Sequence, residues 1–189
     1  MRRRAAILVT IGLLAGVGAS GCAVARPSVN VGAEPHPAEE AARDAGTSAN
    51  DVGSTYLVLR LGERRLYLMD HDPGTPIESF PIAIGREGLE TPVGHFQVEE
   101  MVEHPDFVQV AEGVPLRVIK RIPPGPTNPL GERWIGFAHG DGWTVGIHGT
   151  PHPELLGRAV SHGCVRMRNA DVIQVYEHVA IGTTVIVEP

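Results

Sequence analysis

The chain has 189 residues, of which 42% are hydrophobic and 20% charged, the composition of a folded globular protein and not of a disordered one. Its formal net charge is −6, and residues 54–189 carry eleven basic against seventeen acidic side chains. An acidic domain without a basic stripe excludes nucleic acid as an expected partner.

Met1-Arg2-Arg3-Arg4 is a basic start, Ala5 to Val17 an apolar run, and Gly18 to Cys22 a small-residue cleavage region. These are the three parts of an export signal. The apolar run is too short and too glycine-rich for a comfortable membrane span. Ser20-Gly21-Cys22 resembles the end of a bacterial lipoprotein signal, with cleavage before Cys22 and lipid on its sulfur, although Ala19 stands where leucine is usual. The alternative is an ordinary secretory signal. Residues 1–21 are therefore expected to be the signal, and an anchored protein would meet the membrane through Cys22.

Residues 22–53 read as a flexible linker. Pro27, Pro35 and Pro37 stand among alanines and small polar residues, with almost no large apolar side chain to bury. A coil of about thirty residues reaches about 30 Å on average. Residues 54–189 form the expected domain, large enough for a core of its own.

Most of that domain reads as strand. Thr55 to Leu61 alternates, with Leu57, Leu59 and Leu61 on one face, and Arg65 to Met69 resumes after Gly62-Glu63, as in a hairpin. Further strands are expected at Glu78 to Ile84, Gly94 to Met101, Trp134 to Ala138, Thr144 to His148 and Thr183 to Glu188. Between Glu112 and Glu132, Pro115, Pro123, Pro124, Pro126 and Pro129 argue for an irregular segment that walls a cleft. Its Arg117, Lys120 and Arg121 are candidates for substrate carboxylates, though such a run is usually solvated. A single helix is expected from about Ala170 to Ala180, capped by Asn169, with Val172, Val175, Tyr176 and Val179 as its buried stripe and Gly182 as its end.

The chemistry concentrates between Gly146 and Asn169, which reads GIHGTPHPELLGRAVSHGCVRMRN. A nucleophile needs a base near it and an oxyanion site near both. His148-Gly149-Thr150 offers an imidazole on a small-residue turn, and Ser161-His162-Gly163-Cys164 offers a thiol. The backbone N–H groups of Gly163 and Cys164 are placed to converge on an oxyanion. His148, His152, His162 and Cys164 are also a conceivable zinc set, but the paired spacing of common zinc sites is absent. A Cys22–Cys164 disulfide is disfavoured, because Cys22 sits on a tail beyond the domain. Cys164 is then an unpaired thiol in an exported protein, which argues that the thiolate is used.

The His-Gly-Thr, the spacer and the Ser-His-Gly-Cys-Val-Arg-Met run resemble the catalytic motif of the L,D-transpeptidase (YkuD) family. Gly85 to Phe96 (GREGLETPVGHF) and Asn128-Pro129-Leu130-Gly131 with Arg133-Trp134-Ile135 resemble its upstream hallmarks. The resemblance covers residues 54–189. It implies a mainly β fold, a YkuD-like sandwich of mixed sheets with one helix near the C-terminus. It implies Cys164 as nucleophile, His148 as proton donor and acceptor, the Gly149 backbone orienting that ring, and His162 beside the pair. It implies substrate contacts at Arg166, Thr150 and Ser161, with a structural ion pair as the alternative for Arg166. The implied reaction is acyl transfer from peptidoglycan tetrapeptide stems through a thioester in the bacterial cell envelope, releasing D-alanine and forming 3–3 cross-links or attaching a protein amine, without cofactor or metal, by a monomer. An L,D-carboxypeptidase and a non-catalytic wall-binding lipoprotein are the alternatives.

Overall fold

The computed structural model describes residues 6–10, 55–71, 74–111, 117–140 and 143–189. Alternation of apolar and polar side chains builds the first sheet. Leu57 and Leu59 on β2 (Thr55–Arg60) and Leu66 and Leu68 on β3 (Arg65–Asp70) point to one face and are fully buried or nearly so. The antiparallel β2–β3 pair continues into β4 (Pro76–Pro81) on one side. On the other side β14 (Thr184–Glu188) runs parallel to β2 and antiparallel to β6 (Gly94–Gln97). The strand order is β4-β3-β2-β14-β6.

A second sheet has the order β13-β11-β10-β7, from β7 (Glu100–Glu103), β10 (Arg133–Gly140), β11 (Trp143–Gly149) and β13 (Val165–Met167). Ile135, Phe137, Val145, Ile147, Val165 and Met167 face the first sheet and join its leucines in one core. Phe96 meets Phe137 edge-on across the two sheets, with ring centroids 5.5 Å apart. The helix α1 (Asn169–Glu177) adds Val172 and Val175 to that core, and Val179 follows it in. Tyr176 packs against the cluster from its margin, so the expected stripe is the buried one. Gly182, at φ 91°, turns the chain towards β14. The expected mixed-sheet fold with one helix is the observed one.

Three local expectations differ. The run from Gly94 to Met101 is two strands, because Val98 and Glu99 leave the ladder to bond Thr183 and Gly136. The expected irregular segment contains β9 (Arg117–Ile122), antiparallel to β8 (Asp106–Ala111), since the prolines flank β9 instead of entering it. Asn169 is not the cap of α1. Arg168 holds that position with no side-chain bond, and Asn169 is the first helical residue, its side chain used elsewhere. Two short strands, β5 (Ile84–Gly85) and β12 (Ala159–Ser161), pair in parallel beside the second sheet.

Ala6–Thr10, inside the apolar run read as a signal core, forms β1, parallel to β8. Its Ile-Leu-Val sequence suits an open strand edge as well as it suits a signal. Residues 11–54, including Cys22 and the whole of the expected linker, lie outside the described residues. Among the described residues no helix is long and apolar enough to cross a membrane.

Candidate active site

The site lies on the face of the second sheet that points away from the core. Its register pairs Trp134 with His148 and Gly136 with Gly146 across β10 and β11, and His148 with Arg166 across β11 and β13. Cys164 precedes Val165, which pairs with Ile147, so it lies beside Gly146. Period-two alternation then puts Cys164, His148 and Arg166 on one face. Trp134 floors that face. Its indole stacks on the His148 ring at 5.9 Å and 23°. The indole Nε1 donates to Glu100 Oε2 at 3.0 Å. The ring lies so close over β11 that a Cβ at Gly146 would come within 2.7 Å of it. Leu130 and Phe107, from the excursion between β7 and β10, close over Trp134 and Cys164 in a second apolar cluster.

His148 is 4% exposed, and its Nδ1 lies 2.6 Å from Gly149 O. A carbonyl only accepts, so Nδ1 carries the proton and Nε2 presents the lone pair. Burial pushes the imidazole down to about 4; the Gly149 contact opposes this, and the Arg166 guanidinium lowers it further. The Gly149 backbone is itself held by Asn169. A Cβ at Gly131 or at Gly149 would overlap Asn169 Oδ1, which accepts the Glu132 N–H at 3.2 Å. The amide is thus a wedge joining the ends of β10 and β11 to the start of α1.

Cys164 leaves a turn made by Gly163, whose φ of 111° favours glycine. The Ser161 hydroxyl accepts the Gly163 N–H at 3.1 Å and donates to Cys164 O at 2.5 Å. Thr91, 2% exposed, donates its hydroxyl to Gly163 O at 2.8 Å and accepts the Gly85 N–H at 3.0 Å. The thiol sits 3.8 Å from Thr144 O. Burial pushes it above the ordinary thiol value, against a backbone hydrogen bond from Gly146 and the field of Arg166, which favour the thiolate. With the imidazole lowered and the thiol raised, the resting pair is a neutral thiol beside a neutral imidazole.

The expected residues divide accordingly. Cys164 and His148 share one outer face, and Gly149 O holds the His148 ring. Gly163 differs, because its N–H is committed to Ser161 Oγ and does not point into an open oxyanion site. Ser161 and Thr150 were expected to contact substrate. Ser161 instead ties the nucleophile turn, and the Thr150 hydroxyl accepts the His152 N–H at 3.1 Å, tying the turn after β11. His162 is exposed, and its imidazole is lowered by partial burial and by Arg86 and Arg166. Arg166 is half-buried, its backbone bonded to Ala83 on both sides. Its guanidinium forms no ion pair among the described residues, against the structural alternative. Arg121 pairs with the buried Asp106, which removes it as a candidate for substrate. Among the described residues no three metal-ligating side chains gather, so the four zinc candidates are not one cluster. Trp134, Gly146, Thr91 and the wedge role of Asn169 escaped the sequence reading. Thr91 stood in a recognised Thr-Pro segment, but nothing local ties it to Gly163.

Two mixed sheets around one core, with a cysteine just before β13 and a histidine on the adjoining β11 on one outer face, fit an L,D-transpeptidase catalytic domain. Solved structures share the fold. An L,D-transpeptidase from Mycobacterium smegmatis superposes with a TM-score of 0.54 at 17% identity, over 72% of this chain and 59% of that one. The catalytic domain of the Enterococcus faecium enzyme gives 0.50 at 22% identity, over 70% of this chain and 95% of that one. The L,D-transpeptidase catalytic domain model, YkuD, matches residues 54–187, and the chain belongs to that family. Bacillus subtilis YqjB, which carries an L,D-transpeptidase name, is 40% identical over 57% of this chain and 57% of its own length. Escherichia coli ErfK/SrfK, named likewise, is 35% identical over 68% of this chain and 42% of its own length. The chain thus spans about half the length of such relatives.

Proposed function

We propose that the chain is a cysteine acyltransferase of the bacterial cell wall. Cys164 attacks the amide carbonyl between the diamino acid at position three and D-alanine at position four of a peptidoglycan stem. As the S–C bond forms, the thiol proton passes to His148 Nε2, and the backbone N–H of Cys164 meets the oxyanion. The C–N bond then breaks, and the imidazolium returns its proton to the departing D-alanine amine. A thioester remains on Cys164. The side-chain amine of a second stem attacks it, His148 takes the amine proton and returns it to the leaving thiolate, and a 3–3 cross-link results. Arg166, charged, half-buried and without an acid partner among the described residues, supports a contact with the substrate carboxylate. His162 lies within reach of the same charge.

One observation carries this reading: a buried thiol on the same face as an imidazole whose Nδ1 is held by Gly149 O, leaving Nε2 as a base. Mass spectrometry of purified muropeptides incubated with the protein tests it. Loss of D-alanine and a new cross-linked dimer are expected, both absent in Cys164→Ala. Tripeptide as sole product makes the protein a carboxypeptidase, and unchanged muropeptides overturn the reading. We further infer that residues 1–21 direct export, that 22–53 space the domain from its anchor, and that Cys22 carries lipid.

A further inference from the structure

The Thr91 hydroxyl lies 72 residues from Gly163 in sequence, yet donates to its carbonyl at 2.8 Å inside the protein. Thr91 is itself held. Its oxygen accepts the Gly85 N–H at 3.0 Å, so its own proton has one direction left, towards Gly163 O. The loop that carries it is folded tightly on the nucleophile turn. A Cβ at Gly85 would come within 2.6 Å of Thr91 N. Glu90 O lies 3.7 Å from the Cβ position of Gly163. The Gly163 carbonyl and the Cys164 N–H belong to one peptide unit. That unit is planar and trans, so the two groups point in opposite directions. Whatever grips the carbonyl therefore aims the N–H.

Ser161 orients the two neighbouring units through Gly163 N–H and Cys164 O. The unit between them is left to Thr91. Gly163, at φ 111°, has no side chain to hinder rotation of that unit. We propose that Thr91 is a positioning residue that aims the Cys164 N–H at the developing oxyanion. The Gly163 N–H is engaged by Ser161, so the Cys164 N–H carries the stabilisation the turn offers, and its direction matters the more. The inference rests on Cys164 working by acyl transfer, and adds to that reading a residue which touches neither substrate nor sulfur.

The test separates an oxyanion defect from a collapsed loop. Acylation of Cys164 by p-nitrophenyl acetate passes through an oxyanion, whereas alkylation by iodoacetamide does not. Both rates are measured across pH on the full chain for wild type, Thr91→Val, Thr91→Ala and Thr91→Ser. The hydroxyl-free variants should lose about 10²-fold in acylation, the effect of removing one oxyanion donor. Their alkylation profile should stay that of wild type, and Thr91→Ser should restore acylation. Thr91→Ala, with room for a water, serves where Thr91→Val does not fold. Acylation within about threefold of wild type in a folded hydroxyl-free variant overturns the inference, being too small for a lost donor. So does a parallel fall of acylation and alkylation. The ester reports on Cys164 whether or not stem peptides are the substrate, so a failed muropeptide assay and a failed Thr91 test are distinguishable.

Discussion

His148 is neutral because it is buried. Protonating it would place a charge in a buried site beside the Trp134 ring, with Arg166 as a like charge nearby. A base of this kind accepts a proton at any pH above its lowered value of about 4. The acid limb of Cys164 acylation should therefore fall near pH 4, below the ordinary imidazole value of about 6.5. Stopped-flow acylation by a p-nitrophenyl ester, over a range of about pH 3.5 to 8 that brackets both values, measures it. A limb well above that lowered value would mean that His148 is not the base. His148→Ala should lower the rate by about 10²–10⁴-fold at neutral pH, the usual worth of a positioned general base. The placement of Cys164, His148 and Gly149 was legible because two short motif runs carry them, and the β11–β13 pairing sets those runs side by side. The position of Gly163 was not, since a hydroxyl two residues earlier takes its N–H, and spacing does not reveal which way a hydroxyl turns.

At the scale of elements, small residues allow large ones to approach. Gly146 is the clearest case, with the Trp134 indole against it on one side and Ile135 O 2.8 Å from its Cβ position. Gly146→Ala should displace the ring and cost about 1–3 kcal/mol, the usual penalty for overpacking. Chemical denaturation reads the loss directly. A change below about 0.5 kcal/mol, as at an ordinary surface position, would show that the indole does not lie on β11. Strands β2, β3 and β14 and the stripe of α1 were legible because period-two and helical patterns are local. The part played by Asn169 was not. Its type and place before an apolar stripe are those of a cap, and the overriding contacts with Gly131, Gly149 and Glu132 come from distant parts of the chain. β9 was hidden because its exposed Val118 and Ile119 give the run no apolar–polar alternation.

At the scale of the whole molecule, the hydrogen bonds and the ring contact described around Cys164 and His148 come from within the family domain. Thr91, Asn169, Ser161, Gly149 and Trp134 supply the contacts described around Cys164 and His148, and all lie within residues 54–187. We propose lipid on Cys22, motivated by Ser20-Gly21-Cys22 after an apolar run. Each buried methylene of an acyl chain contributes about 0.8 kcal/mol, so several chains on one residue hold a protein at a membrane stably. Cleavage before Cys22 would also remove β1 and leave the β8 edge unpaired by it. That edge belongs to the excursion whose Phe107 and Leu130 pack on Trp134 and Cys164, so the mature protein should differ from the uncleaved one in β8. Two measurements check this together. Cys22→Ser should move the protein from the membrane to a soluble fraction, and wild type found already soluble would refute the anchor. Hydrogen exchange should show the amides of Asp106–Ala111 less protected in a chain starting at residue 22 than in one that retains residues 1–21. The ester acylation rate of Cys164 should be the same in both, because the hydrogen bonds that fix its turn come from Ser161 and Thr91; a large loss in the shorter chain would place part of the site's support before residue 22.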